Sequence, residues 1–250
     1  CFALSVFAQD EAVSPPVGGM TITIAAGSQI SPFTTSFSLP LVDAPVAGGD
    51  MRGTITSLTS TTVTVSGAGW TSTGLAMPQF PYAIRITSGS AEGLTALISA
   101  NTADTITFSG ADMVALGVSA GDSYSIIPVD TLSTLFGSNT LLGGTTAADA
   151  DIVTLSGTSQ LSYYYNTSLS RWVRISGPTT DRGNTPIPPD SIVSVVRKSS
   201  QISLTLLGRV PDTDTMIAVS NTGSTYTHSG YPVDVTIGGL ALQSRISGWV

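Results

Sequence analysis

Apolar residues alternate with threonine and serine along most of this chain, the period-two signature of strands with one buried face. The clearest stretch runs from Arg52-Gly53-Thr54-Ile55-Thr56-Ser57-Leu58 into Thr61-Thr62-Val63-Thr64-Val65, and the short Thr59-Ser60 connection predicts a hairpin. Tyr82 to Thr87, Gly93 to Ser99, Asp104 to Phe108 and Asp122 to Ile127 add four strands, punctuated by Ser88-Gly89-Ser90 and Ala100-Asn101-Thr102-Ala103. Upstream, Met20 to Ile24 and Phe33 to Pro40 read as strands, followed by a turn-rich link from Asp43 to Asp50. Downstream, Asp151 to Leu155, Gln160 to Asn166, Arg171 to Ile175, Ile192 to Arg197, Ile202 to Gly208 and Val233 to Ile237 continue the pattern.

Helix is confined to two short segments, Asp112 to Val118 and Asp130 to Gly137, each opening on an aspartate cap and stopping at a glycine. Short strands spaced about ten residues apart are what a barrel or small sandwich needs. A Gly/Thr-rich break at Leu142-Gly143-Gly144-Thr145-Thr146 divides the pattern. The expected fold is therefore all-β, with two β-barrel or β-sandwich-like units. Residues 1–19 form an apolar N-terminal segment and linker, 20–140 a first β domain and 141–250 a second.

Composition narrows the chemistry. One histidine (His228), one cysteine (Cys1), one lysine (Lys198) and two glutamates (Glu11, Glu92) leave few of the groups that catalysis recruits to move protons or attack substrates. No catalytic residue is assigned. Charged residues are 10% of the chain, well below the usual figure of about 25%, so the surface must be built from hydroxyls and amides. A net charge of −7 with scattered Lys and Arg offers no footprint for nucleic acid, and no apolar run is long enough for a helical membrane span.

The first residues, Cys1-Phe2-Ala3-Leu4-Ser5-Val6-Phe7-Ala8, are apolar and precede Gln9-Asp10-Glu11. Val6 and Ala8 fit the −3 and −1 positions of a signal-peptide cleavage site. As a strand, the same stretch would put Phe2, Leu4 and Val6 on one side, ready to dock in a neighbouring subunit or in its own domain. A lipid on Cys1 is a third reading.

Several sequence features occur in a specific order between Met51 and Gly208: the Gly-Thr-Ile hairpin, Glu92-Gly93, Ala100 to Thr107, Gly121 to Ile126, the Thr131-to-Gly137 element, Tyr163-Tyr164-Tyr165 with Trp172, and Ile187-Pro188-Pro189. In this the chain resembles an uncharacterised family of exported, β-rich proteins of verrucomicrobial bacteria. The resemblance implies export and brings no activity.

Two carboxylate pairs, Asp149 with Asp151 and Asp212 with Asp214, have the i, i+2 spacing that places two oxygen ligands on one side, making them weak Ca²⁺ candidates. Trp70, Tyr163, Tyr165 and Trp172 are candidate aromatics for stacking against a glycan. The expected function is a non-catalytic, extracellular or cell-surface structural subunit of a fibre, sheath or array. Its partners are copies of itself, joined by β-strand addition or edge packing, and a carbohydrate-binding or adhesive module is the alternative.

Overall fold

A computed structural model describes residues 17–39, 51–110, 112–156, 160–189, 191–210 and 215–216. The described residues are all-β. In chain order the strands are β1 (Val17–Ile24), β2 (Phe33–Phe37), β3 (Arg52–Thr54), β4 (Ser57–Leu58), β5 (Thr62–Thr64), β6 (Ala76–Met77), β7 (Phe80–Ile86), β8 (Thr95–Asn101), β9 (Thr105–Phe108) and β10 (Ser123–Pro128). After helix α1 (Leu132–Phe136) come β11 (Ile152–Ser156), β12 (Gln160–Asn166), β13 (Arg171–Arg174), β14 (Ile192–Arg197) and β15 (Ile202–Arg209).

The first sheet has the order β3-β10-β7-β8-β9-β5-β4, with β6 attached to β7, and all its pairings are antiparallel. No ladder closes it. Its two end strands, however, are consecutive pieces of one segment, because Ile55 N–H donates to Asp122 O (2.9 Å) on one side and Thr56 N–H to Thr64 O (2.9 Å) on the other. The sheet thus curls around a core that includes Ile55, Val63, Ile84, Ile86, Ile106 and Ile126, which are the inward positions of the alternating pattern.

The second group is a five-stranded sheet, β13-β12-β11-β14-β2, facing a two-stranded ribbon, β1-β15. Val153, Tyr163, Trp172, Val193 and Val195 of the sheet share a core with Ile24, Leu204 and Leu206 of the ribbon and with Leu132, Leu135 and Phe136 of α1. The outward face carries a row of hydroxyls in register. Ser36 Oγ bonds Ser194 Oγ (2.8 Å), and Thr154 Oγ1 bonds Ser162 Oγ (2.9 Å).

Strand pairing does not follow the expected division at residue 140. β1, β2 and α1, all expected in the first domain, join the second group. The reason lies at a corner where the β1–β2 and β14–β15 segments cross together from sheet to ribbon, with Gly27 N–H donating to Ser199 O (3.0 Å). A Cβ on Gly27 would collide with the Arg197 carbonyl oxygen and lie 2.6 Å from Phe33 N, so this close approach requires glycine.

Of the two helical segments, the second is shorter than expected, spanning Leu132–Phe136. Asp112 to Val118 makes a single turn, with Asp112 Oδ1 accepting from Ala115 N–H (3.0 Å) and Gly117 at φ 90°. In α1 the cap is Thr131 rather than Asp130, because Thr131 is the extended residue and its hydroxyl accepts from Thr134 N–H (3.1 Å). Asp130 instead accepts from Thr134 Oγ1 (2.7 Å). The expected docking residues Phe2, Leu4 and Val6, the pair Asp212 and Asp214, His228 and the strand Val233 to Ile237 lie outside the described residues.

Candidate functional site

Strands β1 and β15 pair over eight consecutive positions, from Val17↔Arg209 to Ile24↔Ile202, without a bulge. Alternation turns Met20, Ile22, Ile24, Leu204 and Leu206 toward the core. Gly19, Thr21 and Thr23 of β1 and Ser203, Thr205 and Leu207 of β15 face outward. Among the described residues, neither long edge of this ribbon has a further strand. Its outer surface carries no charge until Arg209, and it exposes Val17 (78%) and Leu207 (69%). Natural edge strands are commonly blocked by lysine, proline, a bulge or an inward-pointing charge. β1 has none of these.

The four aromatics singled out from sequence do not form one site. Trp172 is 2% exposed, its Nε1–H donates to Gly137 O (2.9 Å), and its ring packs 5.9 Å from those of Phe136 and Tyr165. Tyr163 is buried beside it in the same core. These two rings hold sheet to helix and offer no open face. Tyr165 is half-buried and borders a 440 Å³ depression with residues of the 138–143 loop.

Trp70 lies elsewhere, on the glycine-rich loop after β5, in a cleft of 660 Å³ that Tyr82 and Tyr124 also line. Gly67 (φ 75°) and Gly69 (φ 67°) give that loop the left-handed turns that bring Trp70 back over the sheet. Its ring meets Tyr124 edge-on, centroids 6.3 Å apart at 70°. Tyr124 is 3% exposed. Burial pushes its pKa above the usual tyrosine value. Gly53, paired with Tyr124 across β3 and β10, leaves room for that ring, since a Cβ there would stand 2.8 Å from the hydroxyl. In the sequence Tyr82 and Tyr124 read only as strand residues. Their shared parity with Ile84, Ile86 and Ile126 was the available signal that both face inward.

The expected carboxylate pair separates. Asp149 is exposed in a turn and accepts from Thr146 Oγ1 (2.8 Å). Asp151 is buried, where Oδ2 accepts from Leu142 N–H (2.8 Å) and from Arg197 Nη1, and Oδ1 from Lys198 N–H (2.7 Å). The two carboxylates therefore have different hydrogen-bond partners. Asp151 joins the start of β11 to the corner after β14, and Arg197 Nε donates onward to Ser200 O (2.8 Å). Lys198 Nζ closes the same corner by donating to Ala147 O (2.9 Å) and Ala148 O (2.7 Å).

No protein-family model, no curated protein and no solved structure matches this chain. The likeness to exported proteins of verrucomicrobial bacteria therefore rests on the sequence features alone.

Proposed function

We propose that this chain is an exported, non-catalytic structural subunit that assembles with copies of itself by adding a strand to the β1–β15 ribbon. The observation that carries this reading is the edge of β1, eight residues long, which no strand among the described residues covers and whose inner face is already anchored in a core. A strand added there completes backbone hydrogen bonds that are otherwise left to water, without reorganising the subunit. The donor in this proposal is the alternating Phe2, Leu4 and Val6 segment of a neighbouring copy. The hydroxyl row on the five-stranded sheet and the uncharged ribbon face also support the reading, since few like charges oppose the approach of copies.

The test is sedimentation velocity and negative-stain microscopy on three chains: the full chain, a chain lacking Cys1 to Ala8, and a Thr21→Pro, Thr23→Pro double variant. The full chain is expected to polymerise, and both altered chains to remain folded monomers. Normal polymers from either altered chain, or a full chain that stays monomeric as concentration is raised, would overturn the proposal.

A further inference from the structure

The ribbon has a second long edge, that of β15, which no strand among the described residues covers. Here Ile202, Leu204, Leu206 and Gly208 turn inward, and Ser203, Thr205, Leu207 and Arg209 outward. No lysine, proline or bulge interrupts the strand. A groove of 180 Å³ lies beside it, lined by the consecutive residues Leu204 to Leu207 and, opposite them, by Leu39, Leu135 and Asp130. Successive strand residues point to alternate faces, so a groove that touches all four lies at the edge rather than beneath either face. The Asp130 carboxylate in its lining already accepts from Thr134 Oγ1 (2.7 Å).

The sequence of β15 is self-complementary about Thr205. Laid antiparallel against the same strand of a second copy, Leu204 meets Leu206, Ser203 meets Leu207, Ile202 meets Gly208, and Thr205 meets itself. Inward residues stay inward, and Arg209 comes opposite Gln201 rather than another cation. We propose that β15 pairs with β15 of a second copy across a two-fold axis, joining two ribbons into one four-stranded sheet. The inward leucines of the second copy then cover the groove, whose volume suits one apolar side chain, since an apolar cavity of roughly 150 Å³ holds a benzene-sized group. This rests on the reading of the ribbon as an assembly element and adds a lateral contact to it. Two eight-residue edges make an interface at the small end of the range, below about 1,200 Å², so single subunits separate. Polymers present the contact repeatedly and hold it by avidity. Because a two-fold contact closes on itself, it joins polymers in pairs.

The test uses the full chain with Cys1→Ser and one new cysteine on the outward face of β15, polymerised, mildly oxidised and run on non-reducing gels. Thr205→Cys is expected to link to itself, because directly opposite Cβ atoms lie about 4.5–5.5 Å apart. Ser203→Cys alone and Leu207→Cys alone are expected to stay unlinked, since in this register each stands four residues, about 13 Å, from its own counterpart. A mixture of those two is expected to link. Polymers that leave Thr205→Cys unlinked, or that link all three single variants alike, overturn the proposal. A full chain that never polymerises sinks the assembly reading instead. In that case the same comparison at millimolar concentration still decides the β15 contact, by whether Thr205→Cys links and the other two do not.

Discussion

Replacing Asp151 by asparagine preserves shape and removes the charge that the buried Arg197 guanidinium faces. The Asp151 side chain is 0% exposed and that of Arg197 5%, so water cannot replace the lost partner. The amide also has one acceptor oxygen where the carboxylate has two, which turns one of the N–H groups of Leu142 and Lys198 toward an NH₂ group. Breaking a buried pair by removing one member typically costs about 3–5 kcal/mol, because an uncompensated charge is left behind. Total stability is ordinarily about 5–15 kcal/mol, so this is a large fraction of it. For a chain of this size the melting temperature should fall by roughly 10 °C.

The assay is calorimetric melting of the full chain, Asp151→Asn, Arg197→Met and the Asp151→Leu, Arg197→Met double variant. The double variant should recover only the part of the loss that comes from the orphaned charge, since an apolar side chain at position 151 still leaves the N–H groups of Leu142 and Lys198 without their acceptor. The Asp151→Asn deficit should persist in 1 M NaCl, because salt screens buried pairs little. A melting temperature for Asp151→Asn within about 2 °C of the parent would refute the claim that this pair locks the corner.

Three further outcomes follow from the same geometry. Gly27→Ala should destabilise the second group by at least about 2 kcal/mol in urea unfolding, because a Cβ there meets backbone atoms that cannot swing aside. Thr131→Ala should cost about 1 kcal/mol by the same measurement, through loss of the reciprocal Thr131–Thr134 cap of α1. Tyr124 is uncharged when protonated and its folded pKa is raised. The stability tied to its protonation is therefore complete below the unfolded value of about 10 and is lost as pH climbs through the folded value. Ultraviolet titration should show a late-ionising tyrosine component, and Tyr124→Phe should reduce it.

Local patterning was highly legible. Gln160 to Asn166 and Ile192 to Arg197 were read at the bounds the structure shows; Ile192–Arg197 buries every second residue, whereas Gln160–Asn166 buries both Tyr163 and Tyr164, on opposite faces. The association of Val17–Ile24 with Ile202–Arg209 was not legible, since the register of a ribbon between distant segments leaves no mark on either one alone. Asp149 and Asp151 looked equivalent by spacing. Burial distinguishes them, and it depends on Arg197 arriving from another strand. Trp172 and Tyr163 likewise combine the aromatic chemistry of binding sites with positions in the core. Trp70 differs because glycine turns carry it into an open cleft, where it meets strand residues that are distant in sequence.

The central claim is that copies join at the ribbon, and amide hydrogen exchange tests it most directly when polymer is compared with monomer held below the assembly concentration. The account predicts that new protection on assembly concentrates in Val17–Ile24, with β11 and β14 in the middle of the five-stranded sheet unchanged. Polymers in which Val17–Ile24 exchanges as fast as in the monomer would contradict it.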